Sequence, residues 1–440
     1  MKTTVYIMVV VLMSAADAVA QGNLNQVEQS GTDGTVSLTQ QGRENSDFIQ
    51  QAGISNTAEI VQKGGSNQAT QTQGEFTEGN AASIMQAGKN NSAGQVQAAY
   101  DDYYASEGNK ATIQQSGRSN RAVQYQTDAS YANQAVIKQS GNSNAAAQDQ
   151  SYLFSSSNRV TVEQAGNVNR TLQFQGDNSV ADNIAAIEQR GHGNSATQVQ
   201  EWHVQNNAVT IKQRGDGNVA EQDLFDNSYS NKPTIEQSGN GNMAGQYQSL
   251  SSQDNRATVS QRGNGNEASQ SQVFDSWDNG AAVKQDGNGN IAQQAQVIVS
   301  SSDRAEIEQQ GDNNTGYQGQ GDWAAEAPSV GNSATIGQKG NGNVASQSQI
   351  SQDINSYSAD NIAIANQSGD GNIANQNQIS SEGNIARIVQ KGNGNYATQL
   401  QEGGSNNTIT TIQTGNGHQS NLSQVGGSGN TTTVIQNGGH

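Results

Sequence analysis

The chain has 440 residues, of which only 31% are hydrophobic and 5% aromatic, with 50 Gly, 2 Pro and no Cys. That composition excludes a deep apolar core, a disulfide scaffold, a thiolate zinc site and thiol catalysis, and leaves either disorder or a repetitive device that satisfies polar groups. A net charge of −18 argues against a nucleic-acid partner, because neutralising phosphates needs Lys and Arg in excess, and no downstream apolar run is long enough for a membrane-spanning helix.

Residues 1–20 read as a secretory leader. Lys2 supplies the positive start, residues 5–13 form a short apolar run, and Ala18-Val19-Ala20 gives a small-x-small cleavage pattern before Gln21. A membrane anchor is the competing reading, disfavoured by the short run. The remainder, 21–440, reads as one repeat domain working outside the cytoplasm.

Half-repeats come first, over 23–56, as an eleven-residue step through Gln29, Gln40, Gln51 and Gln62. Full repeats fill 56–406. One unit runs Asn80-x-Ala82-x-Ile84-x-Gln86-x-Gly88-x-x-Asn91-x-Ala93-x-Gln95-x-Gln97. The first-strand glutamine recurs fourteen times, at Gln62, Gln86, Gln115, Gln139, Gln164, Gln189, Gln213, Gln237, Gln261, Gln285, Gln309, Gln338, Gln367 and Gln390. Gly follows two residues later, Asn five later and Gln nine later in all fourteen copies. The asparagines are Asn67, Asn91, Asn120, Asn144, Asn169, Asn194, Asn218, Asn242, Asn266, Asn290, Asn314, Asn343, Asn372 and Asn395. Random low complexity would not hold four fixed positions so long. Half-repeats return over 407–440, at Gln413 and Gln424.

Each half alternates strictly, the period of a strand with one buried face. The inward set is Asn, Ala, Ile or Val, Gln in the first strand and Asn, Ala, Gln, Gln in the second. Ala365 alone departs from Ile or Val among the fourteen. The strands are joined by x-Gly-x-x turns with Gly88, Gly117, Gly141, Gly239, Gly263 and Gly287, residues that accept positive φ cheaply. Two strands and two turns in about 24 residues predict one coil of an all-β parallel solenoid, with about fourteen full coils plus the half-repeat ends. Stacked coils place equivalent residues about 4.8 Å apart. Each inward Gln or Asn can then bond its own copy in the next coil, so polar ladders replace oil in the interior.

The connectors after the second strand vary. Six residues is usual; those at 98–108, 321–331 and 350–360 reach eleven. Most aromatics sit there, including Tyr100, Tyr103, Tyr104, Trp202, Phe225, Trp277, Trp323 and Tyr357. They are read as packing over the corner of their own coil, with a sugar-contacting edge as the alternative. Lys63, Arg190, Arg214, Arg262, Lys339 and Lys391 follow the first-strand Gln in outward positions, where they limit lateral sticking or are simply solvated.

The tandem Gln-x-Gly-x-x-Asn-x-Ala-x-Gln behind a leader resembles the curlin repeat of curli fibre subunits, across essentially the whole mature chain. The resemblance implies a secreted structural subunit that self-assembles end to end into amyloid fibres on the bacterial surface and in the biofilm matrix, supporting adhesion and cell aggregation. It implies a homopolymer, a related nucleator subunit, an outer-membrane secretion pore and a periplasmic chaperone as partners, and Gln86, Asn91, Gln95 and their counterparts as the ladder. Family members carry a pore-addressing segment after the leader, whereas here the pattern already begins at Asn25.

A monomeric adhesin or an ice- or carbohydrate-binding solenoid is the alternative. It calls for a regular outward Thr ladder, and only scattered cases occur, at Thr408, Thr410, Thr411 and 431–433. Asp216 and Asp370 lie in Gly-rich turns resembling calcium loops, but one carboxylate per turn is a poor oxygen cage. His192, His203, His418 and His440 show no metal-ligand spacing, and no paired carboxylates recur as acid and base. No enzyme, cofactor or metal is expected.

Overall fold

The computed structural model describes residues 22–99, 105–151, 155–176, 180–297, 299–321, 328–351 and 357–438. The leader expected at 1–20 lies outside them, as do Tyr100, Tyr103, Tyr104, Trp323 and His440. The described residues are strands, bridges, turns and bends, without a helix. No helix there is long and apolar enough to cross a membrane.

The chain divides into two compact units, at 1–215 and 216–440. Each is a parallel β-solenoid. In the first unit, eight strands from Thr35–Arg43 to Ala208–Arg214 carry the Ile or Val position and form one sheet (the Ile sheet); eight more, from Leu24–Gln29 to Ser195–Glu201, form the facing Gln sheet. In the second, nine strands from Lys232–Ser238 to Thr431–Asn437 and nine from Val219–Phe225 to Gln419–Val425 build the same pair.

Register is set by the alternation, because a one-residue slip would turn every inward side chain to solvent. Ala111 pairs with Ala135, Ile113 with Ile137, Gln115 with Gln139 and Gly117 with Gly141. Unlike residues also obey the register: Ala365 lies between Ile336 and Ile388 in the Ile column and is fully buried. The half-repeats of the N-terminus combine into coils of the same design, with Gln29 beside Gln51 and Gln40 beside Gln62.

The core of each unit is a slot one side chain deep. Ile60, Ile84, Ile113 and Ile137 line one wall at 0% exposure, with Ala69, Ala93 and Ala122 opposite. Each buried Ile contributes roughly 1.5–3 kcal/mol, and the rest of the slot is amide. Coil length changes only in the connectors. These carry a short third bridge that the alternation does not announce, as in Thr77–Glu78 with Ser106–Glu107 and in Ser300–Ser301, Ser329–Val330 and Ser358–Ala359.

Candidate functional site: the amide columns

The fourteen first-strand glutamines are all buried, none above 3% exposed. Within the first unit each donates from Nε2 to the next Oε1, from Gln40 to Gln213, at 2.8–2.9 Å. From Gln237 to Gln436 the same contact measures 2.8–3.0 Å. The second amide N–H crosses the slot to a backbone carbonyl of the Gln sheet: Gln139 reaches Arg121 O at 3.0 Å and Gln309 reaches Ile291 O at 2.9 Å. One side chain thus ties coil to coil and sheet to sheet.

The Gln sheet adds two parallel columns. Gln71, Gln95, Gln124, Gln148, Gln173 and Gln198 form one, at 2.8–2.9 Å; Gln29, Gln51, Gln73, Gln97, Gln126 and Gln150 form the other, at 2.7–2.9 Å. Three of the apolar residues that interrupt them show how these columns work. Ile49 stands beside Gln71, and Leu224 beside Gln248. In both cases the following Oε1, which a glutamine would have served, is buried without a partner. Leu422 stands beside Gln399, but there Thr411 occupies the Ile column and its Oγ1 takes the Gln399 N–H at 3.0 Å. Thr411 is therefore an inward residue, fully buried, and not part of an outward threonine array.

The fourteen turn asparagines are at most 1% exposed. Asn91 shows the pattern. Its backbone N–H and its Nδ2 both reach Asn67 Oδ1 at 3.1 Å, and Nδ2 also reaches Gly117 O of the next coil at 3.2 Å. At the last position of this column His418 replaces Asn; its backbone N–H still reaches Asn395 Oδ1 at 3.0 Å.

A further Asn column runs along the connector corner. Asn133 N–H donates to Asn109 Oδ1 at 2.9 Å, while its Nδ2 reaches Ser130 Oγ at 2.7 Å and Ser155 O at 3.0 Å. The buried serines belong to a column that alternation does not reveal. Its signal is a Ser three residues before the first-strand Asn, as in Ser130/Asn133, Ser252/Asn255 and Ser276/Asn279. At one place the corner Asn column holds a carboxylate, between Asn279 and Asn332. Asp303 is fully buried; Oδ1 accepts Asn332 N–H at 2.7 Å, and Oδ2 accepts the Ser300 and Ser329 hydroxyls at 2.8 and 2.7 Å. Burial pushes this carboxyl up to about 6 despite the three donors. Asp47 stands beside Ala69 in the alanine column; burial raises it to about 7, with Gln40 Nε2 as a side-chain donor.

The turn glycines are fixed twice over. Gly263 has φ of +107°, and a Cβ there would lie 1.9 Å from Gly287 O of the next coil. Gly88, Gly117, Gly141, Gly239 and Gly287 meet the following Gly carbonyl in the same way. The other positive-φ turn position is open: Gly265 at +63° has nothing near its missing Cβ, and Ser119, Asn90 and Val168 occupy the equivalent place elsewhere. Positive φ alone admits side chains; contact with the next coil does not.

Lys63, Arg190, Arg214, Arg262, Lys339 and Lys391 are exposed. Arg190 pairs with Glu188 at 2.7 Å, and Arg262 lies 3.8 Å from Asp286. Trp202, Trp277 and Tyr357 are 48%, 46% and 51% exposed; Phe225 is half-buried. Among the described residues no three His, Cys, Asp or Glu side chains gather as a metal site.

Residues 205–245 match the family model of the curlin associated repeat. No curated protein matches the chain.

Proposed function

From the match of residues 205–245 to the curlin associated repeat and the same repeat pattern along the chain, we propose a secreted structural subunit that self-assembles end to end into curli-like amyloid fibres of the biofilm matrix, supporting adhesion and cell aggregation. Its partners in this reading are further copies of itself, a related nucleator, an outer-membrane pore and a periplasmic chaperone. The carrying observation is that each coil meets the next through an in-register parallel edge and the same amide columns, a contact that a coil of another copy can continue. Strand Thr431–Asn437 alternates exposed and half-buried, whereas its neighbour Thr408–Thr414 alternates half-buried and fully buried. Gln436 Nε2 is bonded across the slot to Gln419 O at 2.8 Å, and among the described residues no further glutamine follows it in the column.

Purified mature chain tests this. Fibres that bind thioflavin and diffract meridionally near the strand spacing of about 4.8 Å are expected. A chain that stays monomeric at high concentration contradicts the reading and favours the monomeric adhesin, for which the exposed Trp202, Trp277 and Tyr357 would be the contact residues.

A further inference from the structure

Six of the second unit's Asn-Gly pairs lie in Gly-Asn-Gly turns: Asn240-Gly241, Asn264-Gly265, Asn288-Gly289, Asn341-Gly342, Asn393-Gly394 and Asn416-Gly417. Asn-Gly is the dipeptide most prone to spontaneous deamidation, because glycine leaves the following backbone nitrogen unobstructed. That nitrogen, once deprotonated, attacks the asparagine Cγ; the new C–N bond closes a succinimide and ammonia leaves. Water then opens the ring to aspartate or isoaspartate. The step needs a free glycine N–H and a side chain able to swing onto it.

All six asparagines are exposed to solvent, so burial does not protect them. Stacking holds both reacting groups instead. The glycine N–H of each pair donates to a carbonyl of the preceding coil: Gly241 to Asp216 O, Gly265 to Asn240 O, Gly289 to Asn264 O, Gly342 to Asp312 O, Gly394 to Asp370 O and Gly417 to Asn393 O, each at 2.9 Å. The asparagine Oδ1 accepts a backbone N–H from that same coil, at 2.9 Å for Asn240 and Asn264, 3.0 Å for Asn288, and 2.8 Å for Asn341, Asn393 and Asn416. We propose that these Asn-Gly turns are deamidation sites open in the unstacked chain and shut by coil stacking, so that folding stops a chemical clock that runs while the chain is extended.

The two products differ in fit. Aspartate already occupies this column: Asp312 Oδ1 accepts Asn288 N–H at 2.8 Å, and Asp370 Oδ1 accepts Asn341 N–H at 2.7 Å. At Asn240, Asn341, Asn393 and Asn416 the column uses the oxygen that Asn and Asp share, so conversion to aspartate leaves the turn intact there, whereas Asn264 and Asn288 also donate Nδ2 to the next Oδ1, at 3.1 and 3.0 Å, a bond that aspartate gives up. Isoaspartate inserts a methylene into the backbone of a turn whose glycine neighbour has no room to shift (Gly263 against Gly287 O). Modification before stacking therefore yields some chains that cannot close their coils. The protection needs only stacking within one chain and does not rest on fibre assembly.

The test incubates the full mature chain at mildly alkaline pH, folded and in denaturant, and maps the six sites by peptide mass spectrometry with enzymatic isoaspartate detection. All six are expected to convert in denaturant, and on the order of tenfold or more slowly in the folded chain, where reaction must await local opening. Equal rates in the two states would overturn the proposal. In a second arm Asn416→Asp, at a position where only the Oδ1 is engaged, is expected to keep the wild-type melting temperature within about 2 °C; failure to fold would overturn the claim that aspartate fits the column.

Discussion

Leu224 lies in register with Gln248, and the Gln248 Oε1 that it cannot serve is a buried oxygen without a hydrogen-bond partner. The same fault follows Ile49 at Gln71. An apolar residue of suitable size leaves the backbone stack intact but breaks an amide column at one atom. The columns are thus a second bonding system, running beside the backbone ladder.

Restoring the missing donor should stabilise the chain. An orphaned buried acceptor costs about 1–3 kcal/mol, and a glutamine at 224 would serve Gln248 Oε1 in place of Leu. Leu224→Gln is expected to gain roughly 1 kcal/mol in denaturant unfolding. A loss of stability would show that the slot rewards oil over amide at this position.

Removing rungs should do the opposite. Gln139, Gln164 and Gln189 are consecutive members of one column. Replacing all three by Ala empties the column locally and orphans groups on Gln115, on Gln213 and on the opposite backbone. Fibre growth is expected to slow strongly, with about 1–3 kcal/mol lost per orphaned group. The comparison is Glu78→Ala, Glu107→Ala and Gln253→Ala together, three exposed connector residues, expected to leave growth near wild type. Equal slowing by both sets would contradict the role given to the columns.

The two turn glycines should respond differently to alanine. At Gly265 the cost is that of a left-handed L-residue, about 1–2 kcal/mol. At Gly263 the added Cβ also collides with Gly287 O at 1.9 Å, and coil stacking must give way. Thermal unfolding of Gly263→Ala and Gly265→Ala checks this; similar melting temperatures would show that φ alone selects both glycines.

Stability should fall as pH rises. Asp303 has its carboxyl pushed up to about 6 by burial, from an ordinary 3.8. The folded chain therefore holds this proton through a range in which the unfolded chain has released it, so raising the pH across roughly 4 to 6 costs stability, about 3 kcal/mol in all. Asp47, raised to about 7, acts in the same direction and extends the window upward. Asp303→Asn is expected to remove the Asp303 part, with a higher melting temperature at pH 7 and little change at pH 4. Unchanged pH dependence in the variant would place the effect elsewhere.

Much of the fold is legible in the sequence because strict alternation and fixed spacing leave one register open. The glutamine and turn-asparagine columns follow from that register, as does the inward placement of Ala365. What alternation misses are residues outside the strands or unlike their column. The serine column lies in connectors of variable length, where only the Ser-x-x-Asn spacing marks it. Thr411 lies two residues before Gln413 and so faces inward by the same alternation, in register with Ile388; what alternation does not show is its partner Gln399, whose column continues into Leu422. Asp303 holds the first-strand Asn position before Ala305 and Ile307, so alternation places it inward, but not the Ser300 and Ser329 hydroxyls that close on it.

The most direct measurement is hydrogen exchange at the glutamine side-chain amides of the folded chain, labelled with nitrogen-15 at Gln and read by NMR. If the columns replace an oil core, most glutamine Nε2 protons exchange orders of magnitude more slowly than in a free peptide, in step with the backbone amides of the same coils. Glutamine side chains that exchange at free-peptide rates while the backbone stays protected would show that the amides face water, and would contradict a core built from them.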